Sequence, residues 1–295
     1  MQKTKRVFFG SAVAIVTPFI NGEIDYSSLG VLIDHLIEGE SDAIVVLGTT
    51  GEAPTISEEE RYKIIEFSKE RINGRVPLIV GAGTNSTEST VRYARGAYEL
   101  GADAVLLVTP YYNKPSEWGL ASHYEMVAKE VDLPIILYNV PSRTGTSLTI
   151  NTLKALEKIP NIVGIKEASG NISFLEEIIL NFKNRFAIYT GNDDLTYTTL
   201  ALGGSGVISV AGNLFPRKMH ELCMDFSGGR VEKSHKTQLE LLPLIRELFY
   251  ETNPVPIKRI LYEAGLIKSD EVRLPLIKSK REDKIKELYQ KYKKF

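Results

Sequence analysis

The chain has 295 residues, 43% of them hydrophobic, with 36 Lys and Arg against 37 Asp and Glu and a formal net charge of −1 at pH 7. That hydrophobic fraction excludes a disordered chain, and the balanced charge argues against nucleic-acid binding, which needs clustered cations. The length admits either two domains or one α/β barrel of about 250 residues with an appendage.

At the N-terminus Lys3, Lys5 and Arg6 precede an apolar run over residues 7–16, as in a signal peptide. The small-residue triplet Ala12-Val13-Ala14 lies inside that run rather than after it, and Thr17-Pro18 closes it. The segment therefore reads as a first core strand. No stretch of about 20 apolar residues occurs, so no membrane span is expected. Short β-branched runs follow at 13–16, 43–47, 78–80, 104–108, 135–138, 162–165, 186–189 and 207–210. Most are continuously apolar, the pattern of parallel strands covered on both faces. Their starts step by 21 to 35 residues, room for a strand, a helix and two loops.

Helices are read between them. Ser57-Glu58-Glu59-Glu60 is an N-terminal signature, and the helix it opens carries Tyr62, Ile64, Ile65 and Phe67 before stopping near Asn73-Gly74. Residues 86–100, 116–130 and 172–182 read likewise. Eight β/α steps without a composition break favour one closed (β/α)8 barrel over two doubly wound halves, although the sequence leaves an open sheet available. After the eighth strand come only helical patterns, at 216–226, 230–250, 256–264 and 279–292. The division expected is a barrel over 1–225 and a helical domain over 226–295. The lysines between 278 and 294 alternate with Glu282, Asp283 and Glu287, the pattern of a solvated helix face.

Cys223 is the only cysteine, which excludes an intrachain disulfide and fits a reducing cytoplasm. The histidines His35, His123, His220 and His235 are scattered, which argues against a zinc site.

Barrel chemistry sits at the C-terminal ends of strands. Lys166 ends the apolar strand Ile162-Val163-Gly164-Ile165. A desolvated lysine loses its proton more readily, and a neutral amine forms a Schiff base with a carbonyl substrate. The competing reading is an ion pair with Glu167 or another carboxylate. Tyr112, Tyr138, Thr49 and Thr50 stand at other strand ends, where phenol and hydroxyl groups can relay protons without a fixed charge. Either tyrosine alone is equally a packed aromatic. Gly48 and Gly51 would let backbone N–H groups approach a carboxylate, or simply make a turn. Arg143, in Pro141-Ser142-Arg143-Thr144-Gly145, is a carboxylate fork or a surface arginine.

Together these motifs resemble the dihydrodipicolinate synthase family of lysine-dependent pyruvate aldolases. The residues carrying the resemblance are AIVTPF at 14–19, GTTGE at 48–52, TPYYNKP at 109–115, YNVPSRTG at 138–145, GIKEASG at 164–170, TGNDD at 190–194, GVISVAGN at 206–213 and NPVPIK at 253–258. They cover essentially the whole chain. The resemblance implies a TIM (β/α)8 barrel with a C-terminal helical domain, usually in a homotetramer. It implies a Schiff base between Lys166 and pyruvate. Tyr138, Thr49 and Tyr112 would relay protons, with Tyr112 crossing into a neighbouring subunit's site. Thr50 would hold the pyruvate carboxylate, and Arg143 the carboxylate of L-aspartate 4-semialdehyde. Backbone around Gly191 and Ile208 would line the pocket. No metal or organic cofactor is implied, and the reaction would commit carbon to diaminopimelate and lysine.

One departure stands out. Members inhibited by lysine commonly carry imidazoles on the helix after GTTGE and a carboxylate after the third strand. Glu58, Arg61 and Ser89 occupy those places here, while Asn85 and Tyr111 are retained. Weak or absent lysine inhibition is expected.

Other readings remain. Gly81-Ala82-Gly83-Thr84-Asn85-Ser86 with Asp103 mimics a dinucleotide fingerprint, but Ser86 replaces the third glycine. A related aldolase acting on sialate or 2-keto-3-deoxy sugar acids is a second; Arg143 and Gly48-Thr49-Thr50 lean away from it. A silent barrel that binds a metabolite or a partner is a third, opposed by Lys166, Tyr138 and Tyr112.

Overall fold

The computed structural model describes residues 6–294; Lys3 and Lys5 of the N-terminal segment lie outside them. The strands are β1 Gly10–Ala14, β2 Ala43–Val46, β3 Leu78–Gly81, β4 Ala104–Val108, β5 Ile135–Asn139, β6 Ile162–Glu167, β7 Ala187–Thr190 and β8 Gly206–Ser209. Each pairs in parallel with its sequence neighbours, and β8 returns to β1, so the sheet is a closed barrel. This removes the open-sheet alternative. A short antiparallel hairpin, Phe19–Ile20 with Glu23–Ile24, follows β1.

The eight strand readings hold to within a residue at most ends, with one larger shift. The first strand begins at Gly10, not at the β-branched onset at Val13. Glycine is the reason. A Cβ on Gly206 would stand 1.8 Å from the Gly10 carbonyl oxygen, and one on Gly10 would stand 2.2 Å from an Asp42 carboxylate oxygen. The seam that closes the barrel is too tight for side chains, so its strands start where hydrophobicity gives no signal.

Helices α1 Tyr26–Glu38, α2 Glu58–Ile72, α3 Thr87–Glu99, α4 Glu117–Glu130, α5 Ile150–Leu156, α6 Ile172–Phe182, α7 Thr196–Leu202 and α8 Pro216–Ser227 surround the sheet. Ser57 and Glu60 form the reciprocal capping box read from the sequence, and Asn73 ends α2 with a left-handed φ of 47°. Helices α5 and α7 have seven residues each, two turns, too few to display a period. Three helices follow: α9 Val231–Leu248, α10 Val255–Glu263 and α11 Glu282–Tyr292. Helix α9 locks onto the barrel through Gln238, which accepts from the Tyr197 N–H and donates to the Asp193 carbonyl at 3.0 and 3.1 Å. In α11 Ile285 and Tyr292 are buried, while Lys284 and Lys286 face solvent.

Two apolar cores result. The larger joins the outer faces of the strands to the helices. The smaller fills the barrel with Ala12, Ala43, Val45, Ile79, Leu106, Ile136, Tyr138, Tyr189 and Ile208, alternate residues of their strands. Phe8 plugs its lower end, stacked 4.2 Å from the Tyr189 ring. Among the described residues no helix is long and apolar enough to cross a membrane.

Candidate active site

Lys166 is the fifth residue of β6, on the same strand face as Gly164. A Cβ on Gly164 would meet the Tyr189 ring at 3.4 Å, so this face points into the barrel. Lys166 is 5% exposed. In register it lies between Tyr138 on β5 and Tyr189 on β7, with its Nζ 4.3 Å from the Tyr138 ring centre. Glu167 faces the other way. Its carboxylate accepts from Asn139 Nδ2 at 2.7 Å and from the Ser169 N–H at 2.6 Å, and burial raises its pKa. The Lys166–Glu167 ion pair is therefore not formed. The lysine sits over the Tyr138 ring face instead.

A cavity of about 420 Å³ opens above it, walled by Thr49, Thr50, Tyr138, Arg143, Lys166 and Gly191. Six residues taken from four strand ends thus meet at one mouth. Gly191 is required there, since a Cβ would lie 2.7 Å from Lys166 Cε. Ile208 is not on this wall. It is wholly buried in the barrel core opposite Ala12, and Val210, two residues on, lines the cavity. The Gly51 N–H is taken by the Gly48 carbonyl at 3.1 Å, so that glycine serves the turn and its amide is not offered to a ligand.

Arg143 sits on a single helical turn, Pro141–Thr144, closed by Gly145 at φ 67°. Its Nη2 donates to the Asn253 carbonyl at 3.2 Å. Asn253 also donates from Nδ2 to Thr50 Oγ1 at 3.0 Å. One tail residue thus touches both the threonine and the arginine of the mouth. Asn253 escaped the residue-by-residue reading, as did Arg246 on α9, which stands on the same wall. The only sequence signal for Asn253 was the NPVPIK stretch, and Arg246 lies outside every motif named above. Asp193, wholly buried beneath the site, accepts from the Val210 and Ala211 N–H groups at 3.0 Å each and fixes the turn after β8. Desolvation raises its pKa.

A second cavity of about 590 Å³ shares Thr49, Tyr138 and Arg143 with the first and extends to Arg61, Tyr93, Tyr111 and Tyr112. Tyr112 is 88% exposed, with φ at +75°, and does not reach the Lys166 cavity of its own chain. A bulky side chain in that backbone region is an outlier of the kind held at functional sites. Arg61 is buried, donating to the Gly81 carbonyl at 2.9 Å and lying 4.4 Å over the Tyr93 ring. Burial lowers its pKa. The glycines of the dinucleotide-like stretch leave no phosphate cradle: Cβ atoms on Gly81 and Gly83 would stand 2.0 Å from the Leu47 carbonyl and 2.4 Å from the Val108 nitrogen. A larger groove of about 850 Å³ lies outside the barrel between α2, α3 and α4. Its arginines are already paired, Arg92 with Glu58 and Arg95 with Glu130, and no strand end reaches it.

The profile of the Dihydrodipicolinate synthetase family matches residues 7–294. A 4-hydroxy-tetrahydrodipicolinate synthase from Thermotoga neapolitana is 45% identical over 275 residues, 92% of this chain and 93% of its own. The crystal structure of dihydrodipicolinate synthase from Thermotoga maritima superposes with a TM-score of 0.95 at 43% identity, over 97% of this chain and 99% of that one. A chloride-inhibited dihydrodipicolinate synthase from Acinetobacter baumannii, solved with pyruvate, superposes with a TM-score of 0.93 at 41% identity, over 96% and 98% of the two chains.

Proposed function

The chain belongs to the Dihydrodipicolinate synthetase family and is an enzyme of that lyase family, and from this premise we propose that it condenses pyruvate with L-aspartate 4-semialdehyde to 4-hydroxy-tetrahydrodipicolinate, the first committed step toward diaminopimelate and lysine. The observation that carries the reading is the Lys166 amine, 5% exposed and 4.3 Å from the Tyr138 ring centre, at the base of a cavity with Thr49, Thr50 and Arg143.

The neutral amine attacks C2 of pyruvate, and loss of water leaves an iminium ion on Nζ. That iminium is the electron sink, so no further cofactor is required for the step. A C3 proton leaves to give the enamine, whose carbon attacks the aldehyde carbon of the second substrate. Its amino group then attacks the imine carbon, closing the ring and releasing Lys166. Each step moves a proton, and Tyr138 and Thr49 are the hydroxyl groups placed to relay it. Thr50 receives the pyruvate carboxylate and Arg143 the carboxylate of the semialdehyde; a guanidinium fork suits such a group. Borohydride reduction in the presence of pyruvate, followed by mass spectrometry, tests the mechanism. Wild type gains one pyruvate-derived adduct and Lys166→Ala gains none. An adduct on the variant, or none on wild type, overturns it.

The same reading gives Tyr112 a partner. Its exposure and left-handed backbone suit a side chain that completes the relay in a neighbouring subunit of a homotetramer. A cytoplasmic location fits the single, buried Cys223. Lysine inhibition is weak or absent. Glu58 is engaged by Tyr62 and Arg92, and Arg61 puts a buried guanidinium where a ligand ammonium would be repelled. Titration with L-lysine should leave the rate unchanged through the micromolar range; half-inhibition within that range overturns this part.

A further inference from the structure

The Gly48-Thr49-Thr50-Gly51-Glu52 turn ends on a residue that lies outside the cavity. Glu52 adopts φ 55°, a backbone region where glycine is the ordinary choice, and is 3% exposed. Its carboxylate is in direct contact with the ammonium of Lys258, on α10, which is wholly buried. The other carboxylate oxygen accepts from the Arg273 N–H at 3.0 Å. Lys258 donates to the Glu271 carbonyl at 2.7 Å and lies 4.0 Å over the Phe19 ring. The turn is thus held from a segment distant in sequence, across a dry contact.

Such a pair does not explain itself as a source of stability. Taking two charges out of water costs more than their attraction commonly returns, and apolar replacements of similar volume often stabilise a fold. Burial lowers the Lys258 pKa to about 8 even though Glu52 opposes the shift, so desolvation outweighs the partner. What the pair does supply is direction. Two charges and their remaining hydrogen bonds admit one arrangement, whereas apolar side chains would admit several.

The geometry points to Lys258 and Glu52 as positioning residues for the proposed reaction: their pair fixes the turn that presents Thr50 to the pyruvate carboxylate and Thr49 to the proton relay, so the C-terminal helices govern pyruvate binding. This rests on the reaction proposed above. Neither residue lines the cavity.

The test removes both charges at nearly constant volume, in the double variant Glu52→Gln/Lys258→Met. A charge-keeping variant, Glu52→Asp, shortens the side chain and so stretches the contact without removing the charge. The double variant should melt no lower than wild type, yet its amides at residues 49–52 should exchange about tenfold faster, while those of β5 and β6 do not change. The KM for pyruvate should rise about tenfold, the effect of one lost charged hydrogen bond, with the KM for the semialdehyde unchanged. Glu52→Asp should raise the pyruvate KM about threefold, a smaller loss from the same contact, and it decides the matter if the double variant does not fold. Unchanged exchange at 49–52, or faster exchange with unchanged pyruvate kinetics, overturns the proposal. If wild type forms no pyruvate adduct, the reaction itself is misread, and the exchange measurement still judges whether the pair holds the turn.

Discussion

Tyr138 and Tyr189 flank the same lysine, one strand to either side, and both belong to the barrel's inner core. Their chemistry diverges because the two ends of the barrel differ. Tyr189 is wholly buried, its hydroxyl donates to the Phe8 carbonyl at 2.7 Å, and the Phe8 ring stacks on its own. Desolvation raises its pKa well above the usual phenol range. It is a strut in a sealed floor. Tyr138 stands on the walls of both cavities, with the lysine amine over its ring. It stands at an open mouth, where the proposed reaction uses it as a relay. Residue type and register opposite the lysine are alike; what differs is whether the hydroxyl is already engaged by the protein.

Substitutions can break that contrast. The largest effect belongs to the residue between the two tyrosines: Lys166→Ala should lower kcat by about 10⁴-fold or more, as loss of a covalent nucleophile does, with circular dichroism unchanged. Tyr138→Phe should lower kcat by about 10²–10⁴-fold, the range for a lost proton relay, while the melting temperature stays put. The floor should answer in the other currency. Phe8→Ala should cost about 3–5 kcal/mol of stability in urea unfolding with kcat retained at temperatures where the fold persists. Tyr189→Phe should cost about 1–3 kcal/mol, the penalty for an orphaned buried carbonyl, again with kcat retained. A large loss of kcat in Tyr189→Phe, or none in Tyr138→Phe, would collapse the distinction between strut and relay.

Much of this was legible in advance because the signals are local. Strands buried on both faces must be apolar throughout, so the eight runs stand out. Ser57 and Glu60 cap a helix through groups three residues apart. Lys166 draws notice because an amine at the end of an apolar strand has to be desolvated. The missed features are those whose cause lies elsewhere in the chain. Gly10 and Gly206 extend their strands only because the Gly10 backbone blocks a Cβ on Gly206 and the Asp42 carboxylate blocks one on Gly10. The Ile208 side chain fills the barrel core, and Val210, just past the end of the strand, stands on the wall. Asn253 reaches Thr50 across 203 residues, and nothing near either of them announces it.

The amino-acid sequence by itself determined eight β/α steps, a lysine at the end of the sixth apolar strand, and hydroxyl and guanidinium groups at other strand ends, while closure of the sheet was left to the structure. Periodicity and burial are properties of short segments, and the chain carries them wherever it goes. Only the tertiary structure decided which tyrosine hydroxyl is engaged by the floor, that Glu167 turns away from Lys166, and that the tail grips the Thr49-Thr50 turn through Asn253 and Lys258. Those outcomes depend on which polar atoms already have partners, and the partners come from segments that only closure of the barrel brings together.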